Sequence, residues 1–176
     1  HRRSGDAGVV TMAGRSIRFL MAVAHPDGSV GGEYGSRNTE LYFPAGLEAF
    51  GSTLPDGERA AGFFVRGLAR GVPAPSNADG QNFVPLLANY ATAFHETPPG
   101  RPSADGPCWD AAVADFPDAG IHVRRHPAYH AVLGVSKGGV LKVFDPASGR
   151  LLMSDSGYFG ILRSGRRVSS QMLDRG

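Results

Sequence analysis

The sequence predicts an α+β chain with its helices first and an antiparallel sheet second. Three observations carry that prediction. Apolar residues recur at helical spacing up to about residue 96. A proline- and glycine-rich stretch, TPPGRPSADGP, then breaks all periodicity, and from Ala119 onward apolar and polar residues alternate. The chain accordingly divides into a helical segment over 1–96, a linker with one short helix over 97–118, and an antiparallel sheet segment over 119–176.

In RSIRFLMAVAH, Ile17, Leu20, Met21 and Ala24 fall on one helical face, and Pro26-Asp27-Gly28 stops the helix. Thr39 to Phe50 is a second helix, with Pro44 marking a start or a kink. A third begins at Asp56 as its cap, carries the stripe Ala60, Phe63, Phe64 and Leu68, and ends at Gly71 before Pro73. A fourth runs from Phe83 to His95 with an early Pro85, and Trp109 to Phe116 reads as one further short helix. The alternation opens with Ile121 and Val123 against His122 and Arg124, and Tyr129–Val135, Val140–Phe144, Leu151–Ser154, Tyr158–Leu162 and Val168–Leu173 follow as strands. Lys137-Gly138-Gly139, Asp145 to Gly149, Ser156-Gly157 and Ser164-Gly165 supply turns between them, the pattern of an antiparallel meander.

A chain of 176 residues can bury a substantial core. Its net charge of +2 gives no argument for nucleic acid as a partner. Lysine occurs only at Lys137 and Lys142, so arginine carries most of the positive charge; a guanidinium grips carboxylate or sulfate through two parallel bonds. The single Cys108, between Pro107 and Trp109, cannot form an internal disulfide and reads as a small apolar residue. No apolar run approaches the roughly 18 residues of a membrane span. The chain starts with His1 and shows no signal-peptide pattern, and is expected to be a piece of a longer protein.

The segment Asp27 to Phe50, DGSVGGEYGSRNTELYFPAGLEAF, packs Glu33, Tyr34, Arg37, Asn38, Thr39, Glu40 and Tyr42 into a glycine-punctuated loop between two apolar runs. Polar and aromatic residues on a loop held by scaffold elements are a common way to build a site. The competing reading is a plain connection, with Asn38 or Thr39 capping the next helix and Arg37 paired to Glu33 or Glu40.

Helical hairpins, a proline-rich connection and a sheet opening with FPDAGIHVRRHPAYHAVLGVSKGGVLKVFD, followed by GRLLMSDSG, resemble the heparinase II/III-like and alginate-lyase-like polysaccharide lyases. The resemblance implies an α/α toroid followed by a β-sandwich, with most of the toroid outside this chain. It also implies an acidic polysaccharide as substrate, secretion or a periplasmic location, and no cofactor. A structural zinc or calcium ion and a non-catalytic glycan-binding or scaffold role stay open beside it. Two family features are absent: the histidine-rich strand, replaced by Gly138-Gly139-Val140-Leu141, and the helical-domain Asn-His pair, whose nearest substitute is Arg37-Asn38.

Such lyases cut uronate polymers by β-elimination. The C5 proton becomes acidic only when the neighbouring carboxylate is neutralised, after which a base removes it and an acid protonates the departing oxygen. On that reading Tyr34, Asn38, His126 and His130 are the catalytic candidates, and Arg37, Glu33, Tyr129 and Arg124 the substrate-binding ones. Alternation puts His122, Arg124 and His126 on one strand face and sends Tyr129 and His130 to opposite faces. Arg163, Arg166 and Arg167 near Asp155-Ser156-Gly157-Tyr158 read as an anion-binding edge or as solvated charge at a hairpin tip. Gln81, Asn82, Asn89, Tyr90 and His95 form a polar-aromatic stripe of mainly structural character, with sugar stacking open to it.

Overall fold

A computed structural model describes residues 6–34, 41–51, 53–72, 78–97, 112–136 and 138–170. Helices come first and antiparallel strands second, so the chain is α+β. It forms two compact units. One comprises His1–Ala24, Gly28–Val30 and Glu40–Asp110; the other comprises His25–Asp27, Gly31–Thr39 and Ala111–Gly176.

The first unit is helical. Helix α1, Ala7–Val23, is capped by the Asp6 carboxylate, which accepts the Gly8 N–H at 2.7 Å. Helix α2, Ala45–Gly51, begins just after Pro44, so the proline marks a start and not a kink. Helix α3 spans Pro55–Ala69. Asp56 does not cap it: Pro55 occupies the first helical position, where its missing N–H costs nothing, and Leu54 stands at the cap without a side-chain bond. Asp56 instead lies 3.7 Å from Arg18 and 3.6 Å from Arg59. Helix α4, Gly80–Glu96, starts earlier than the proline suggests, because Asp79 accepts the Gln81 and Asn82 N–H groups and leaves Pro85 inside the helix.

Ile17, Met21, Tyr42, Leu47, Ala60, Ala61, Phe63 and Phe64 make the core of this unit, with Tyr42 stacked on Phe64 at 4.7 Å between ring centres. Asn89 of α4 accepts the Ala45 N–H at 2.9 Å, a bond that fixes the start of α2 and gives part of the polar stripe a structural role.

The second unit is built on a five-stranded antiparallel sheet in simple order: β1 (Val113–Phe116), β2 (Ile121–His126), β3 (Tyr129–Gly134), β4 (Val140–Phe144) and β5 (Leu151–Asp155). A separate hairpin follows, β6 (Phe159–Ile161) with β7 (Arg167–Ser169). The short helix expected before the sheet is absent over Val113–Phe116, which pairs with β2 as an edge strand; residues 109–111 and Cys108 lie outside the described residues. Pairing decided this segment: ahead of a tight Pro117–Gly120 turn, its four residues run back antiparallel along β2 and pair with it from Val113↔Arg124 to Phe116↔Ile121.

Register sorts the sheet into two faces. His130, Val132 and Gly134 pair with Arg125, Val123 and Ile121 on one side and with Phe144, Lys142 and Val140 on the other. Ile121, Val123, His130, Val132, Gly134, Val140 and Phe144 are buried, so this face is covered. The opposite face carries His122, Arg124, Tyr129, Leu133, Leu141 and Val143, all exposed or half-buried.

Candidate functional site

The covered sheet face holds the most unusual chemistry among the described residues. Beyond Ala24 the backbone turns extended, and His25-Pro26-Asp27 leaves helical geometry because Pro26 disfavours a helical residue before it. The His25–Asp27 segment lies against the β4–β5 turn. There Asp145 accepts the Ala147 N–H at 3.0 Å and the Ser148 hydroxyl at 2.6 Å, and Gly149 adopts φ +71°. A Cβ on Gly149 would stand 3.1 Å from the Asp27 Cα, so the bare glycine permits this approach.

Nine residues after His25, a short 3₁₀ turn over Gly32–Tyr34 presents Tyr34 to the same face, beside Gly134. His25 Nε2 and Tyr34 Oη lie 2.7 Å apart, a buried hydrogen bond. His25 is 0% and Tyr34 2% exposed. The imidazole also stacks on Phe144, with ring centres 4.5 Å apart and 28° between planes. His130, 1% exposed, meets the edge of Phe144 at 6.4 Å. Four aromatic rings from three parts of the chain thus meet in one layer.

Burial dominates the electrostatics. The His25 pKa is lowered to about 4, chiefly because the ring is taken out of water; Asp27 opposes the shift and Lys142 adds to it. Burial likewise lowers His130 to about 3, helped by Arg125 and by His25. Both imidazoles are therefore neutral at pH 7, and His25 meets the phenol as an uncharged partner. Its bond can run either way, since a neutral imidazole nitrogen is a donor or an acceptor according to the tautomer.

The structure brings Tyr34 and His130 together through His25 and Phe144. His126 and Tyr129 stand elsewhere: both are exposed at the β2–β3 turn, their rings stacked 5.3 Å apart, with the Ala128 N–H donated to His126 Nδ1. Arg124 is on the open face, holding Asp115 with bonds of 2.7 and 3.2 Å while His122 Nδ1 lies 2.9 Å from the same carboxylate. These partners hold the Asp115 carboxyl below the usual range, Arg124 first. Arg37 and Asn38 lie outside the described residues, and so does the side chain of Glu33.

Sequence reasoning missed His25, Lys142 and Phe144. The available signal was a histidine closing the apolar run Leu20–Ala24 immediately before Pro-Asp-Gly, with Tyr34 beyond a run of glycines that can fold the chain back. Among the described residues no three His, Cys, Asp or Glu side chains gather in a way that could hold a metal ion. No described helix is long and apolar enough to cross a membrane. A cleft of about 270 Å³ in the helical unit, lined by Ile17, Leu20, Phe43, Leu47 and Phe50 with Ser16, is mainly apolar.

No family model matches the chain, and neither a curated protein nor a solved structure matches it.

Proposed function

We propose that the chain is part of a secreted or periplasmic carbohydrate-active protein, similar to the toroid-plus-sandwich polysaccharide lyases, that cleaves an acidic polysaccharide by β-elimination. One observation carries the reading: the 2.7 Å hydrogen bond between a neutral, buried His25 and the Tyr34 phenol. Elimination needs a group able to take a proton from carbon and return it to oxygen. With the proton on His25 Nδ1, the free Nε2 accepts the Tyr34 hydroxyl and can draw off its proton, which makes the imidazole a base for the phenol. Lys142, whose charge reaches His25, adds positive potential at the same face.

The phenolate then takes the C5 proton of a uronate. The C5–H electron pair forms the new double bond to C4, the bond from C4 to the glycosidic oxygen breaks, and Tyr34 returns its proton to that oxygen. The resemblance of the Phe116–Ser156 segment to the lyase sheet supports the same class.

A second reading, a non-catalytic glycan-binding or scaffold module, is favoured by the 2% exposure of Tyr34, which closes the phenol to a polymer in this conformation. Ultraviolet absorbance during incubation with alginate, pectin and glycosaminoglycans separates the two. Rising absorbance from unsaturated uronate is the expected result; a flat trace on every polymer, with binding retained, selects the module.

A further inference from the structure

The β6–β7 hairpin concentrates positive charge, with Asp155 just before it accepting the Gly157 N–H at 2.9 Å. Residues 156–170 contain Arg163, Arg166 and Arg167 and no acidic residue. All three arginines are exposed, and none has an ion pair or side-chain hydrogen bond among the described residues. The turn that carries them is well defined: the Leu162 N–H donates to the Arg166 carbonyl at 2.9 Å and the Gly165 N–H to the Leu162 carbonyl at 2.8 Å, with Gly165 at φ +80°. At the other end the Ser170 N–H donates to the Tyr158 carbonyl and the Ser170 hydroxyl accepts the Tyr158 N–H.

Next to these charges, Tyr158 and Phe159 are 69% and 67% exposed, a large aromatic exposure for so short an element. Register puts Phe159, Ile161 and Arg167 on one face and Tyr158, Leu162 and Arg166 on the other. Each face therefore offers a ring and a guanidinium. The order along the hairpin matters: Arg163 and Arg166 flank the tip, and the aromatic residues lie toward the base. A membrane-inserting hairpin needs the reverse order, with apolar residues leading into the acyl layer and cations staying at the headgroups.

We infer that the β6–β7 hairpin is a docking surface for a carboxylated or sulfated polysaccharide, with Arg163, Arg166 and Arg167 gripping its anionic groups and Tyr158 and Phe159 stacking on its sugar rings. Guanidinium forks match carboxylate and sulfate geometry with paired bonds, and aromatic faces suit the apolar faces of sugars. The choice of polymer class rests on the proposed function, but the site is separate from the His25–Tyr34 layer and binds whether or not the chain is a lyase.

The test is affinity electrophoresis of the chain through gels containing heparin or alginate, compared with gels containing single-stranded RNA, and sedimentation with phosphatidylserine vesicles. Native chain should be retarded by heparin or alginate, and the triple substitution Arg163→Gln, Arg166→Gln, Arg167→Gln should weaken retardation by about tenfold. Tyr158→Ala should weaken it further. These positions are exposed, so unchanged circular dichroism is expected. Retardation is read without turnover, so a chain that is retarded but raises no ultraviolet absorbance fails the catalytic reading and keeps this one. Equal retardation of native and triple-substituted chain overturns the inference, as does tighter binding to RNA or to vesicles than to either polysaccharide.

Discussion

Acid should weaken the sheet unit before it protonates most carboxylates. His25 and His130 titrate near 6.5 in an unfolded chain, but folded they stay neutral down to about 4 and about 3. Above pH 6.5 neither state is charged and the burial of both rings costs nothing in protonation. As pH falls below 6.5 the unfolded chain binds protons that the folded chain cannot, so stability drops until the folded pKa values are reached. Each histidine then contributes a loss of roughly 2 kcal/mol at pH 5, and His25 on the order of 3 kcal/mol by pH 4. Against a typical domain stability of about 5–15 kcal/mol this is a large fraction. Among the described residues the charges facing the pair oppose protonation through Lys142 and Arg125, and Asp27 favours it at His25. Asp115 and Asp145, both held low, lose their contribution only below the ordinary carboxylate range, outside this window. Urea unfolding followed by circular dichroism at pH 7, 6 and 5 reads the effect, and a His25→Gln, His130→Leu variant should flatten it. Equal midpoints at pH 7 and 5, or a variant as acid-sensitive as the native chain, would refute the reasoning.

Two further outcomes follow from packing and backbone geometry. Phe64→Ala removes a fully buried ring stacked on Tyr42 and should cost about 3–5 kcal/mol in the helical unit, read as a lower urea midpoint. Gly149→Ala forces an L side chain to φ +71° with its Cβ 3.1 Å from the Asp27 Cα; it should cost about 1–2 kcal/mol and raise the pKa of His25 as its segment is pushed from the sheet, measured by proton NMR titration.

The sheet was legible because alternation and turn chemistry agree. Gly138, Gly139, Gly149, Gly157 and Gly165 all adopt positive φ where the sequence reads as turns, and the strands between them begin and end within a few residues of their expected limits. The opposite fates of Tyr129, exposed, and His130, buried, follow from the same period of two. Strand β1 was not legible, since Val113–Phe116 has no pattern of its own and is a strand only through β2. The site was half legible. Tyr34 and His130 stand out by residue type, but His25 sits where local spacing makes it the tail of a helix. Its bond to Tyr34 depends on a glycine-rich reversal and on Phe144 arriving from a strand more than a hundred residues later.

The measurement closest to the central claim is the ultraviolet assay on Tyr34→Phe, with binding to the same polymer followed in parallel. Phenylalanine keeps the ring beside Gly134 and removes the hydroxyl that lies 2.7 Å from His25 Nε2. The account predicts that turnover disappears while binding is retained. Turnover surviving at the native rate would contradict it.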